Sequence, residues 1–312
     1  MEISIIKTIL DSIKLIKELL PKKEEDNNNS EIKAKLASFE SELNILKKES
    51  EIEEKTGFNK VQIRLKTLFN SHGIEDNLIA TFIKSAIDNE FEIPISEVSN
   101  LNYIFDKLSD NHISDLANVF GINKGWIYSL ENMYQHRNYY KNLHNLIKFI
   151  LEKSKKEKLQ GFALRVEKFD SIEKEKHQPL YLVIRTPIIT VFKKTIYRYY
   201  PINTDWKWDY WRTRYQAKSI FNLFETPNKL IDFDGKTASN EDLDLISSLN
   251  HCPDEIIKNK VQNTWYPYDY ATSLDKNVNA LELDELDKIL DYINEQGYRK
   301  QLENTVANNG YN

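Results

Sequence analysis

The 312-residue sequence has one cysteine, Cys252, so it lacks the thiols for an internal disulfide or a cysteine-based zinc site. That scarcity favours a reducing cytoplasm. The neighbouring His251 and Cys252 point apart, and we expect buried or capping roles for them rather than a catalytic pair. Apolar residues are not scarce, since 40% of the chain is hydrophobic, and this excludes wholesale disorder. The length allows about two domains.

Signatures of the common enzyme classes are also missing. The chain has no P-loop, no GxGxxG, no HExxH and no GxSxG motif, and its six histidines are scattered. A metal-dependent nuclease using Asp170, Asp205 and Lys207 remains as a hypothesis, but Asp205 follows Pro201 at a predicted helix start and not on a strand. We therefore expect a non-enzymatic protein with no catalytic residues, no cofactor and no metal.

Long hydrophobic runs are absent from the N-terminal 56 residues, where apolar seams alternate with charges. Spacings of three and four residues predict two short amphipathic helices, with seams at Ile6, Ile9, Ile13, Ile16 and Leu20 and at Ile32, Leu36, Phe39, Leu43 and Leu46. The intervening charges exclude a transmembrane span and a signal peptide. Residues 21–30 form a polar linker. We interpret 1–56 as a homo-oligomerisation segment or short coiled coil, with a helical hairpin packed on its own domain as the alternative.

Charge is distributed unevenly, although the formal net charge is only −5. The net charge is −3 for segment 1–56, −4 for 57–135, +11 for 136–218 and −9 for 219–312. A basic middle favours an anionic partner, and we expect nucleic acid to bind through 136–218. The alternative is that this segment pairs with the acidic C-terminal region inside one domain.

Residues 57–157 are predicted to form a helical bundle, with helices near 60–71, 76–88, 96–108, 111–120, 123–133 and 138–157. Part of it has the spacing of a helix-turn-helix, because Ala117 is small enough for two helices to cross and Gly121 supplies the turn. The positions predicted to be buried in this unit are Leu116, Phe120, Ile122, Ile127 and Leu130.

Residues 61–133 as a whole resemble the lambda-repressor-like (Cro/C1-type) helix-turn-helix domain, through Gly73-Ile74, Ile79-Ala80 and the run from Leu116-Ala117 to Ile127. The resemblance implies a DNA-binding bundle in which 113–130 are closing support helices. Lys84 stands where that family has its turn glycine, and the stretch in the reading position, 87–94, is acidic and contains Pro94. Packing or partner binding is therefore the favoured role of this bundle, with DNA reading as the alternative.

Residues 158–312 are predicted to be an α+β binding domain. Alternating apolar residues predict strands at 162–166 and 180–185, and two β-rich stretches at 188–192 and 195–200 extend them into an antiparallel sheet of three or four strands. Pro187 is expected at an edge or bend. The remaining predicted elements are a long helix at 204–225, a strand at 229–233, an Asp234-Gly235 turn, and helices near 240–250, 253–262 and 281–304.

Basic and aromatic residues are most concentrated between 181 and 218. On a helix over 204–225, a basic strip lies beside the core-facing stripe, and three further aromatic rings lie beyond it. Cations beside flat rings suit a nucleic-acid strand or a small anionic ligand. The alternative is that the rings are buried under a second layer, with arginines stacked on them. The predicted binding residues are Lys207, Arg212, Arg214, Lys218, Trp208, Trp211 and Tyr215.

Taken together, these patterns predict a cytoplasmic regulatory protein that associates with nucleic acid and not with membranes. An oligomeric scaffold or adaptor without nucleic-acid binding is the second hypothesis, and the nuclease is the third.

Overall fold

The computed structural model has the predicted mixed α+β architecture. It describes residues 8–14, 16, 36–37, 39–48, 59–135, 143–155, 158–167, 178–203, 205–225, 230–260, 263–271 and 280–308. The chain forms two compact units, of which the first comprises 1–135, 191–196 and 244–252, and the second comprises 136–190, 197–243 and 253–312. This division differs from the predicted domain ranges 1–56, 57–157 and 158–312. Residues 1–56 and 57–135 fall in one unit with two short segments of the C-terminal half, and residues 136–157 belong to the second unit.

The first unit contains a bundle of short helices. They are α1 (Lys60–Ser71), α2 (Ile79–Ala86), α3 (Leu101–Asp106), α4 (Asp110–Phe120) and α5 (Lys124–Ile127), with 3₁₀ turns at Asp76–Leu78 and Ile95–Glu97. The local sequence determines where several of these helices begin and end. Asn59 and Gln62 form a reciprocal capping box at the start of α1, and Ser109 caps α4. Gly73 follows α1 with φ 71°, the left-handed conformation that glycine adopts most readily after a helix.

Aromatic rings fill the centre of this bundle. Phe69 contacts Phe82, Phe105 and Phe120 at centroid distances of 6.0, 6.2 and 6.0 Å. The His72 ring lies 4.4 Å from Phe120 and is only 2% exposed. The bundle is therefore held by a ring cluster rather than by aliphatic seams alone.

The predicted helix-turn-helix segment has the expected turn but a shorter second helix. Gly121 has φ 71°, and the Ile122 amide donates to the Ala117 carbonyl oxygen at 3.0 Å. Leu116, Ala117, Phe120, Ile122 and Ile127 are buried. The prediction for Leu130 is wrong: it is 78% exposed, because α5 ends at Ile127 and the chain turns through Ser129 at φ 62°. Residues 87–94 contain no helix, in line with the departure noted at Pro94.

The described N-terminal stretches, 8–14 and 39–48, are helical. Their apolar seams contact each other, since Leu10, Ile13 and Leu43 form one buried cluster that Ile9, Leu36 and Leu46 flank. Ile16 and Phe39, two other predicted seam positions, are 45% and 50% exposed. Ile6, Leu20 and Ile32 lie outside the described residues. The two described helices therefore pack on each other within one chain.

The second unit is built on a five-stranded sheet with the order β3-β2-β1-β4-β5. Its elements in chain order are α6 (Leu143–Ser154), β1 (Gln160–Arg165), β2 (Leu180–Val191), β3 (Lys194–Pro201), α7 (Trp211–Phe224), β4 (Phe233–Thr237), α8 (Asn240–Ser247), α9 (Pro253–Asn259), β5 (Thr264–Trp265), a 3₁₀ turn (Pro267–Tyr270), α10 (Ala280–Glu295) and α11 (Tyr298–Asn308). The tip of the β2–β3 hairpin, 191–196, and the C-terminal half of α8, 244–247, belong to the first unit.

The predicted all-antiparallel sheet is corrected at β4. This strand runs parallel to β1, with Arg165 opposite Thr237, and antiparallel to β5. Asp234 and Gly235 lie inside β4 and do not form a turn. Gly235 is required there for space, because a Cβ at this position would overlap the carbonyl oxygen of Trp265.

Two other predicted boundaries also change. β2 is one strand from 180 to 191, and Pro187 lies beyond Arg185, the last residue that pairs with β1. The predicted helix at 281–304 is divided between α10 and α11 by Gly297 at φ 67°. Helix α7 packs against α10 and against the 3₁₀ turn Pro267–Tyr270. Its apolar face, including Ala217, Ile220, Phe221 and Phe224, contributes to the core of this unit.

Candidate functional site

Before α7, Lys207 pairs with Pro179 in an antiparallel bridge and residues 208–210 form a turn, so the predicted helix start at 204 is wrong. Trp206 and Trp208 alternate with more exposed neighbours and are 1% and 0% exposed. The Trp208 amide donates to the Gln178 carbonyl oxygen at 2.8 Å, and the Trp206 carbonyl oxygen accepts from Leu180 at 3.0 Å. Both indoles point to the same side because residues two apart in an extended chain share a face. This segment fixes where α7 begins.

A small set of hydrogen bonds joins the segment 205–210 to α7. The Thr213 hydroxyl contacts the carbonyl oxygens of Lys207 and Tyr210, the latter at 3.0 Å. The Arg214 guanidinium donates to the Trp208 carbonyl oxygen at 2.7 Å, and its amide donates to Tyr210 at 3.1 Å. The first turn of α7 is therefore held rigidly against the preceding loop.

Four residues around this turn form what we call the Trp211 patch: Tyr210, Trp211, Arg212 and Tyr215. Trp211 is 52% exposed, and the Tyr215 ring lies nearly perpendicular to its ring, at a centroid distance of 5.6 Å and an interplanar angle of 85°. The Arg212 guanidinium carbon lies 5.1 Å from the Trp211 ring centroid, and Arg212 donates to the Tyr210 hydroxyl at 3.2 Å. The patch thus presents a supported flat ring with a cation beside it.

Trp208, which precedes the patch in the chain, belongs to a chain of buried and half-buried rings and cations. Trp208 packs edge-on against Tyr270 at 5.6 Å, and Tyr270 packs against Trp265 at 5.5 Å. Lys218, only 1% exposed, places its ammonium 5.5 Å from the Trp208 ring. The guanidinium carbon of Arg165 lies 4.2 Å from the Trp265 ring, and burial lowers the pKa of Arg165, opposed by its hydrogen bond to Tyr270.

The structure therefore separates the seven predicted binding residues. Trp211 and Arg212 are exposed, whereas Lys207, Arg214 and Tyr215 are half-buried and Trp208 and Lys218 are buried. Trp208 and Lys218 lie inside the unit, where they contact each other rather than the surface. The sequence prediction grouped them with Trp211 because it extended helical geometry over 205–210, where the structure has no helix.

Two further groups are not among the seven predicted binding residues, although the first lies in the basic segment 136–218. Phe192 and Lys193 form the turn of the β2–β3 hairpin, and Phe192 is 75% exposed. The β-rich runs on either side predict a hairpin but not the exposure of its tip. The second group is a hydrogen bond between His72 and Cys252, at 3.6 Å between Nε2 and Sγ, and no local spacing indicates it.

The nuclease hypothesis gains no geometric support. Asp170 lies outside the described residues, and Asp205 is exposed in the loop before α7. Within the described ranges, no three His, Cys, Asp or Glu side chains are grouped so that they could hold a metal ion.

The described helices include none with the length and apolar character needed to span a bilayer. No protein-family model, curated protein or solved structure matches this chain.

Proposed function

We propose that this chain is a non-enzymatic nucleic-acid-binding regulatory protein of the cytoplasm that contacts unpaired bases through the Trp211 patch. One observation carries the proposal. All five tryptophans are described, and four of them are at most 7% exposed, whereas Trp211 is 52% exposed beside the Arg212 guanidinium. A flat ring and an adjacent cation match the two chemical features of a single strand, its bases and its phosphates.

The arrangement suggests how a strand would bind. An unpaired base stacks on the exposed part of the Trp211 indole, while Tyr215 supports that ring from its edge. Arg212 supplies charge to a flanking phosphate and a planar group on which a second base can stack. The first turn of the 14-residue helix α7 contains no acidic residue, so its N-terminal amide dipoles favour a phosphate nearby.

The helical bundle of the first unit is assigned a different role in this proposal. Its resemblance to repressor-like helix-turn-helix domains stays a prediction, and the segment 57–135 carries −4, which opposes approach to phosphates. We assign it partner binding or packing instead. Two exposed aliphatic side chains, Ile95 at 93% and Leu130 at 78%, support a protein-binding surface there.

Binding to labelled 20-nucleotide single-stranded DNA, single-stranded RNA and duplex DNA tests the proposed function. Stacking is worth about 1–3 kcal/mol per base, so we expect Trp211→Ala to weaken single-strand binding at least about five-fold. Arg212→Ala should reduce the slope of log K against log[salt] by about 0.7, the value for one phosphate contact. Trp208→Phe, at a buried ring, and Tyr266→Ala, at a ring 72% exposed elsewhere, are the matched controls. Equal affinity of Trp211→Ala and the unaltered protein would remove the patch as the site.

A scaffold or adaptor without nucleic-acid binding is the second candidate, and the exposed Ile95 and Leu130 favour it. The N-terminal helices supply its homo-oligomer, through the exposed seam residues Ile16 and Phe39. Light scattering distinguishes the cases. An oligomer that dissociates when Ile16 and Phe39 are both replaced by Glu, in a protein that binds none of the three nucleic acids, supports the scaffold.

A further inference from the structure

The tip of the β2–β3 hairpin is built from residues that do not suit its backbone. Phe192 and Lys193 have φ of 46° and 68°. A two-residue hairpin turn with both φ angles positive strongly favours Asn-Gly or another small pair, because a bulky side chain is strained in the left-handed region. Phe192-Lys193 therefore costs stability at a position where a better pair is available, and strain of this kind is typical of functional positions.

Packing does not explain the choice of Phe192. The neighbouring strand residues Val191 and Ile196 are 8% and 2% exposed. They line a small cavity together with Ile74, Leu78 and Phe82 of the helical bundle, within the same compact unit. These contacts fix the hairpin tip, while the Phe192 ring stays 75% exposed. The ring thus contributes little to the core, although it occupies a strained position.

The charges beside Phe192 favour an anionic partner. Lys193 and Lys194 are both exposed, and neither makes an ion pair with a residue in the described part of the chain. The bundle segment 57–135 has a net charge of −4, so the hairpin tip is a local basic site on an otherwise acidic unit. Two lysines next to one flat, exposed ring repeat the chemistry of the Trp211 patch on a different element.

We propose that this tip is a second contact for single-stranded nucleic acid, in which Phe192 stacks on an unpaired base and Lys193 and Lys194 bind the flanking phosphates. The inference rests on the proposed function and adds a site to it in the first unit. An anionic membrane surface is the competing partner. It is disfavoured because a single exposed ring offers little apolar area to bury in a bilayer, whereas one ring is sufficient to stack on a base.

The test uses the full chain and three changes at the tip. Phe192→Ala removes the ring, Lys193→Ala with Lys194→Ala removes the charges, and Phe192→Asn with Lys193→Gly installs the favoured turn. The Phe192→Asn, Lys193→Gly variant should raise the thermal midpoint of unfolding and weaken nucleic-acid binding. Weaker binding by a more stable protein cannot be attributed to a loss of folding. Lys300→Ala, at an exposed lysine of α11, and Tyr266→Ala are controls for charge and for ring exposure. Probes are single strands containing 2-aminopurine, and vesicles with and without phosphatidylserine.

We expect Phe192→Ala to weaken single-strand binding at least about five-fold and to reduce the quenching of 2-aminopurine. Replacing both lysines should lower the slope of log K against log[salt] by about 1.4, because two phosphate contacts are lost. Unchanged binding by Phe192→Ala and by the Asn-Gly variant, with weakened binding by Trp211→Ala, overturns the tip site and leaves the Trp211 patch in place. Absence of binding by the unaltered protein overturns both sites. Phe192-dependent binding to phosphatidylserine vesicles without nucleic-acid binding assigns the tip to membranes and also overturns the proposal.

Discussion

Cys252 Sγ lies 3.6 Å from His72 Nε2, although the two residues are 180 positions apart in the chain. His72 Nδ1 lies 2.8 Å from the Leu68 carbonyl oxygen, which can only accept, so Nδ1 carries the proton and Nε2 accepts from the thiol. Both side chains are buried, at 2% and 6% exposure. The contact attaches the segment 244–252 to helix α1 inside the first unit.

This contact makes the single thiol a reporter of opening in the first unit. We expect Cys252 to resist thiol reagents in the native protein and to react on unfolding. His72→Ala removes the hydrogen bond and the ring contact with Phe120, which should cost about 2–3 kcal/mol and accelerate labelling at least about ten-fold. His144→Ala, at an exposed histidine of the second unit, is the control. Equal labelling rates for the His72 variant and the unaltered protein would show that the contact does not hold this segment.

Acid should weaken the contact between α4 and α5. Hydrogen bonds from Lys124 at 2.6 Å and Tyr128 at 2.8 Å lower the pKa of Asp110. A carboxylate with a lowered folded pKa adds stability above its unfolded pKa of about 4, and that stability is lost as the pH falls through the folded value. Asp110→Asn should therefore show a smaller drop in urea midpoint between pH 6 and pH 3 than the unaltered protein.

The control for this pH dependence is Asp115→Asn, since Asp115 is exposed on the same helix and makes no ion pair with a described residue. It should retain the full drop. A drop that is identical in the Asp110 and Asp115 variants would exclude the α4–α5 contact as a source of acid sensitivity.

Two glycines should respond differently to alanine. At Gly235 a Cβ overlaps the Trp265 carbonyl oxygen and comes within 2.7 Å of its ring, so Gly235→Ala should cost more than about 2 kcal/mol by forcing β4 and β5 apart. At Gly297 nothing lies within 4 Å, and the cost is that of an alanine at φ 67°, about 1 kcal/mol. Urea unfolding of both variants checks the order. A larger cost at Gly297 would contradict the close approach of β4 and β5.

Some parts of this structure follow from local sequence, and others do not. The helices of the bundle and the strands of the hairpin follow from period and capping, because Asn59, Ser109 and Gly73 act on their immediate neighbours. The parallel pairing of β1 and β4 does not, since the paired residues Arg165 and Thr237 are separated by two strands and a helix. Gly235 is a second example. Its sequence neighbours favour a turn, but the close approach of Trp265 on the neighbouring strand β5 is what requires glycine there.

At the candidate site, the sequence pattern predicted exposed positions for Trp208 and Lys218, which are buried, and for Trp211, which is exposed. Trp206 and Trp208 alternate with Asp205, Lys207 and Asp209, and this period of two favours an extended chain. The sequence prediction began helix α7 at 204, and this placed Trp208 beside Trp211 on the helix surface. Burial of Lys218 depends on Trp208 and on rings far along the chain, including Tyr270, which no local pattern specifies.

A fluorescence titration of the protein with single-stranded DNA tests whether Trp211 contacts the strand. Trp211 is the one tryptophan more than 7% exposed, so stacking of a base on it should quench the solvent-accessible part of the emission. We predict that Trp211→Phe removes this quenchable component, that Trp208→Phe retains it, and that the quenching weakens as salt is added. Quenching of equal amplitude in the Trp211→Phe variant, or emission that does not change when DNA binds, would contradict the assignment of Trp211 as the contact.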